Sequence, residues 1–157
     1  GTISLAFTGR PLTLTNRLKE GIEMYRLKTP LYHGTSAASA YHITHYLSPF
    51  DAPLYLTEHK EMALHYAQCA TAYISRQAQT EGVKLLADGY ALFTFHSLPN
   101  KDYLVPDDYN ENAEPDQFKY LKPLKGISHY TLSFYPFEYN EREHLHLVSY
   151  AMGMWAR

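Results

Sequence analysis

The sequence predicts a single α+β domain built on antiparallel sheet, and three observations lead there. Its 157 residues match the size of one ordinary domain. Helical and strand patterns are intermixed along most of the chain. Two successive strand patterns then close it, which favours antiparallel pairing. No repeat, low-complexity run or linker interrupts residues 1–157, so the whole chain reads as one domain.

The elements follow in order. Residues 12–26 place Leu14, Leu18, Ile22 and Tyr25 at helical spacing, and Pro30 stops that segment. Leu31-Tyr32-His33 reads as a short strand running into Gly34. Residues 36–47 form a short helix with Ser36 at its N-cap. After a loop with Pro49 and Pro53, Leu54-Tyr55-Leu56 is a second short strand. Thr57 is placed to cap a long helix over about 58–79, with Glu58 near its positive end. Met62, Tyr66, Ala70, Tyr73 and Ile74 mark the stripe expected to be buried, and Gly82 ends the helix. From Tyr90 to Leu98 the pattern is a strand with Ala91, Phe93 and Phe95 on one face. Residues 99–126, rich in Pro, Asp, Asn and Lys, read as a long surface excursion with a helical turn near 115–121. Such excursions in a small domain are often functional. Strand patterns at about 127–137 and 143–151 complete the chain.

Composition narrows the function classes. A net charge of -2, with Lys and Arg scattered, calls for no polyanionic partner and disfavours nucleic acid. The single cysteine, Cys69, excludes an internal disulfide and a cysteine-based zinc cluster. No apolar run approaches the roughly 20 residues of a membrane span, so no membrane partner is expected. The 15 tyrosines join flat apolar rings to polar tips, which suits a cleft for planar ligands. Beginning at Gly1 rather than Met, the sequence reads as a piece of a longer chain, and an upstream targeting segment stays open.

Three short elements carry chemistry. In Leu31-Tyr32-His33-Gly34-Thr35, a strand end puts an imidazole beside a backbone with no Cβ. A flat ligand can approach that backbone, and the imidazole can donate to a hydroxyl while its other nitrogen is held. Leu54-Tyr55-Leu56-Thr57 is followed, 11 residues after Tyr55, by Tyr66 on the next helix. A strand-to-helix reversal can bring those two rings face to face, leaving a slot for a third flat ring. Glu141-Arg142-Glu143 precedes His144-Leu145-His146-Leu147-Val148, so a carboxylate opens the last strand and can face a cleft. His144 and His146 share one face of that strand, but no third ligand at a telling spacing supports a metal. Singly, each element is an ordinary strand end, core stripe or solvated turn.

Together and in this order, the three elements resemble the His-Tyr-Glu group of ADP-ribosyltransferases, the diphtheria-toxin and poly(ADP-ribose) polymerase branch. The likeness covers about 31–98 and, more loosely, 138–151. It implies split antiparallel sheets around an NAD cleft, with flanking helices. It implies NAD as the substrate, with no metal, and its nicotinamide between Tyr55 and Tyr66. It further implies that Gly34 holds the carboxamide through its backbone and that His33 bonds the adenosine ribose. Thr35 completes the NAD-binding motif, Glu143 is the catalytic carboxylate, and Glu141 orients the acceptor. Ala63 stands where the polymerase branch has a serine, which leans the likeness toward toxins. Glu141-x-Glu143 also resembles the arginine-modifying branch, which has Arg in place of His33.

The expected activity is therefore transfer of one ADP-ribose from NAD to a protein side chain, with release of nicotinamide. The expected setting is a monomeric bacterial toxin or effector, secreted or delivered into a host cell, acting on a host protein. A small host regulator such as ubiquitin is one candidate target, and the 99–126 excursion is the candidate recognition element. Two other classes compete. One is an inactive domain of this fold that binds NAD or a partner. The other is an NAD-using enzyme of nucleic acids, such as an RNA 2′-phosphotransferase, which needs a basic cluster that this sequence lacks.

Overall fold

The computed structural model describes residues 3–5, 24–46, 49–107, 116–124 and 129–155. Among them the order is β1 (Ile3–Leu5), β2 (Tyr25–Ser36), α1 (Ala37–His45), β3 (Leu54–Thr57), α2 (Lys60–Glu81), β4 (Tyr90–Leu98), β5 (Leu104–Pro106), β6 (Gln117–Tyr120), β7 (Tyr130–Tyr135) and α3 (Glu141–Trp155). The class is α+β, as the sequence predicts. The strands form one sheet in the order β1-β7-β4-β2-β3-β6-β5, and every pairing is antiparallel.

The centre of the sheet follows from apolar alternation. Ala91, Phe93 and Phe95 of β4 all face the core, as expected. They meet Leu31 from β2 and Tyr130 and Leu132 from β7. Phe50 packs edge-on against Phe93 and Phe95, with centroids 4.8 and 5.5 Å away. β2 runs longer than its sequence pattern suggests. Tyr25 and Arg26 already pair with Leu98 and Ser97, so the expected helix over 12–26 does not extend to them. The rest of that segment, 12–23, lies outside the described residues. Pro30 does not end β2 but sits in the irregularity between Arg26 and Leu31, where the ladder can spare the missing N–H.

Only one registered pair, Tyr32 with Thr57, joins β2 to β3. The half β1-β7-β4-β2 and the half β3-β6-β5 thus diverge on either side of a single junction. The second half corrects the expected surface excursion. Residues 117–120 form no helical turn: Phe118 and Tyr120 pair with Leu56 and Leu54 of β3. Tyr120 and the following Leu124 are among the most buried side chains of the core. Apolar residues two apart on a strand decided this, against the surrounding polar composition. Residues 108–115 of that stretch lie outside the described set.

Helix α1 is capped as expected, Ser36 Oγ accepting the Ser39 N–H at 3.0 Å. Helix α2 begins later than expected: His59, not Thr57, is its N-cap residue, and Thr57 Oγ1 instead accepts the His59 N–H. The buried face of α2 is also not the stripe of Met62, Tyr66 and Tyr73. It is the small-residue face of Ala63, Ala67, Cys69, Thr71, Ala72 and Ala78. Close approach to β2 selects those residues. A Cβ on Gly34 would lie 1.8 Å from the Ala63 carbonyl oxygen and 2.9 Å from the Ala67 Cβ. Gly82 ends the helix in the left-handed conformation at φ 67°, as expected.

The last strand pattern is overturned outright, since residues 141–155 are helix α3. His144-Leu145-His146-Leu147 alternates like a strand, yet the buried residues are Leu147, Val148 and Ala151, the spacing of a helix face. These pack on Cys69 and Ala72 of α2 as a second small core. A helix-start signal was present. Asn140 precedes Glu143 by three residues, and its Oδ1 accepts the Glu143 N–H at 3.2 Å.

Candidate functional site

Successive strand residues point to opposite faces, so the register sorts the side chains around the junction. Tyr32 and Gly34 of β2 share a face with Thr57 and Tyr55 of β3, the face that α2 covers. Gln117 pairs with Thr57, and the Asp107 N–H donates to the Gln117 carbonyl at 3.0 Å. A cross-strand row Tyr32, Thr57, Gln117, Asp107 thus runs along this face, from the part that α2 covers out to the edge strands. A cavity of about 630 Å³ lies over it, within the usual range for ligand sites. All four residues of the row line it. Ala63, Tyr66 and Ala70 of α2 form the opposite wall, and Tyr150 of α3 closes one side.

His33 reaches this cavity from the other face of β2. Its ring stands against Phe50 and Phe93, at centroid distances of 6.2 and 6.5 Å. Its Nδ1 lies 2.9 Å from the Tyr55 carbonyl oxygen. A carbonyl only accepts, so Nδ1 carries the hydrogen and donates it. Burial lowers the His33 pKa below its ordinary value, outweighing the opposing pull of that hydrogen bond and of Asp51. The ring is therefore neutral near pH 7, and Nε2 is an acceptor. This reverses the expected role: the held nitrogen donates, and the other nitrogen can receive a ligand hydroxyl. The same bond ties the histidine to the tyrosine strand, so His33 and Tyr55 are positioned as a unit.

Tyr55 is 53 % exposed, so its ring is open to a ligand. Tyr66 lies nearly parallel to Tyr150, with centroids 6.5 Å apart and planes at 24°. His65 supports Tyr150 edge-on at 5.0 Å. The lining is thus aromatic and small, with one acid, Asp107, and neither Lys nor Arg among the described residues. Cys69 is no nucleophile here: it is fully buried, and burial pushes its thiol up to about 11.

The structure brings together four of the expected site residues, His33, Gly34, Tyr55 and Tyr66. Thr35 of β2 pairs with Ala91 of β4 and is not among the lining residues. Glu141 and Glu143 stand apart as well. They lie in the first turn of α3 instead of opening a strand. Glu141 Oε1 takes an exposed ion pair from Arg76 at 3.2 Å. Glu143 is exposed two turns, about 10 Å, before Tyr150, the α3 residue that does line the cavity. Gly34 also has a different reason from the expected one, because helix packing already demands it. His144 and His146 sit about 200° apart around a helix, not on a shared face. No group of three or more metal-ligating side chains occurs among the described residues.

Sequence reasoning missed Asp107, Gln117 and Tyr150 in this site. Tyr150 was hidden by the strand reading of its segment. Asp107 follows Leu104-Val105-Pro106, a short apolar run that the surrounding polar residues mask. No helix among the described residues is long and apolar enough to cross a membrane. No family model matches the chain, and no curated protein or solved structure matches it.

Proposed function

We propose that the domain is an NAD-dependent mono-ADP-ribosyltransferase acting on a protein side chain. One observation carries the reading: His33, Gly34, Tyr55 and Tyr66, drawn from two strands and a helix by sequence order alone, all face a single cavity. The lining fits the nicotinamide riboside half of NAD. Tyrosine faces attract a cationic pyridinium ring, and a cavity with one acid and no cationic side chain favours positive charge. The size suits that half of the molecule, and the flanking diphosphate extends beyond it.

In this reading Tyr55 and Tyr66 hold the nicotinamide ring, and the His33 Nε2 accepts a ribose hydroxyl hydrogen. The rings exclude water and fix the glycosidic bond for attack, which is catalysis by positioning. That bond breaks with its electron pair leaving on nicotinamide, whose ring nitrogen becomes neutral. The acceptor's lone pair closes the new bond at the ribose carbon, and the acceptor's proton passes to a base. Positive charge grows on the ribose during the exchange, so a carboxylate in the cavity accelerates it.

A second reading, a binding module that holds NAD without turnover, is favoured by one observation: neither Glu141 nor Glu143 lines the cavity. Incubation with labelled NAD, with and without a eukaryotic lysate, separates the two. Nicotinamide release together with label on a discrete protein band supports the transferase. Saturable NAD binding with no release supports the module. Absence of binding removes both.

A further inference from the structure

The cavity contains a carboxylate that the sequence motif does not predict. Asp107 is the one acidic side chain among its described lining residues. Its position is built, not loose. Pro106 pairs with Phe118, and the next step of the ladder is the Asp107 N–H on the Gln117 carbonyl. Facing residues share a side of the sheet, so Asp107 lies on the side of Gln117, Thr57 and Tyr32. Strand spacing of about 4.8 Å places its backbone roughly 10 Å from that of Thr57, two strands away along the same wall of the cavity. Gln117, a neutral amide, lies between them and adds donors without charge.

Resting on the transferase reading above, we propose that Asp107 is the catalytic carboxylate. It stabilises the positive charge that grows on the nicotinamide ribose and takes the proton of the incoming nucleophile. The electrostatics favour this placement. A carboxylate among the aromatic rings of a cavity acts through a lower dielectric than an exposed surface glutamate does. The alternatives on α3 are exposed.

The test measures NAD affinity by calorimetry and nicotinamide release by chromatography for the intact domain and three variants. Asp107→Asn is expected to bind NAD within about threefold of the parent while release falls by about 100-fold or more, the signature of a lost transition-state contact. Asp107→Glu restores the charge on a longer arm and is expected to recover release at least about tenfold over the amide, which also carries the test if the amide fails to fold. Asp102→Asn, an exposed acid on the neighbouring turn, controls for general charge effects. Release within threefold of the parent in Asp107→Asn overturns the assignment alone and leaves the transferase reading standing. Equal loss of NAD binding in Asp107→Asn and Asp107→Glu also overturns it, since Asp107 would then act on bound substrate. A parent that neither binds nor cleaves NAD overturns the transferase reading and this assignment with it.

Discussion

Gly34→Ala tests whether the cavity is held open by the packing of α2 on β2. A methyl group at this position would lie 1.8 Å from the Ala63 carbonyl oxygen and 2.8 Å from its carbon. Both are backbone atoms, so no rotamer change relieves the clash. The helix must lift from the strand, or the strand must bend away. Overpacking costs typically about 1–3 kcal/mol, and a backbone collision belongs at or above the top of that range. For a domain of this size, about 3 kcal/mol corresponds to a melting temperature lower by roughly 6–12 °C. It is also a large share of the usual 5–15 kcal/mol of stability. Because Ala63 and Tyr66 share the same turn of α2, the displacement also widens the cavity, and ligand affinity falls with stability. Calorimetric melting and urea unfolding read the first effect, and NAD titration reads the second. A melting temperature within about 2 °C of the parent would refute the reasoning, because it would mean that α2 does not rest on β2 at Gly34.

Phe50→Ala is expected to cost about 3–5 kcal/mol by urea denaturation, since a large ring is lost among Phe93, Phe95 and Tyr130. Tyr55→Ala, removing a half-exposed ring, is expected to leave stability within about 1 kcal/mol while NAD affinity drops at least tenfold by calorimetry. The lowered His33 pKa implies that the unfolded chain takes up this proton first as pH falls below about 6.5, so folding stability declines from there down to the folded-state value. His33→Asn is expected to remove that share of the pH dependence, read as the difference between parent and variant urea midpoints from pH 7.5 to 5. Glu141→Gln, at an exposed ion pair, is expected to change stability by less than about 0.5 kcal/mol in the same assay.

The parts of the fold that were legible in the sequence are those where one physical signal acts alone. β4 could be read because Ala91, Phe93 and Phe95 alternate into a core that buries them completely. The start of α1 and the end of α2 could be read because Ser36 and Gly82 each satisfy a specific backbone requirement. Two signals competed where the reading failed. In α3, a run of alternating His and Leu imitates a strand, whereas the capping Asn140 and the burial of Leu147, Val148 and Ala151 belong to a helix. In β6, the polar neighbourhood concealed Phe118 and Tyr120, which pair with β3 and bring Gln117 beside Thr57 in the cavity.

The site divides along the same line. His33, Gly34, Tyr55 and Tyr66 lie within one continuous stretch, where local order constrains them, and the structure gathers them. The carboxylate depends on how a distant segment docks. Asp107 reaches the cavity only because β5 and β6 add to the edge of β3, a long-range pairing that no local pattern encodes. Helix packing, which is equally non-local, brings Tyr150 to Tyr66.

The most direct test of the central claim is calorimetric titration of NAD into the domain and its Tyr55→Ala variant, with nicotinamide release followed in the same samples. The expected result is saturable binding to the parent, weakened at least about tenfold in the variant, and slow nicotinamide release that the variant loses. No binding to the parent, or equal binding to both proteins, would contradict it.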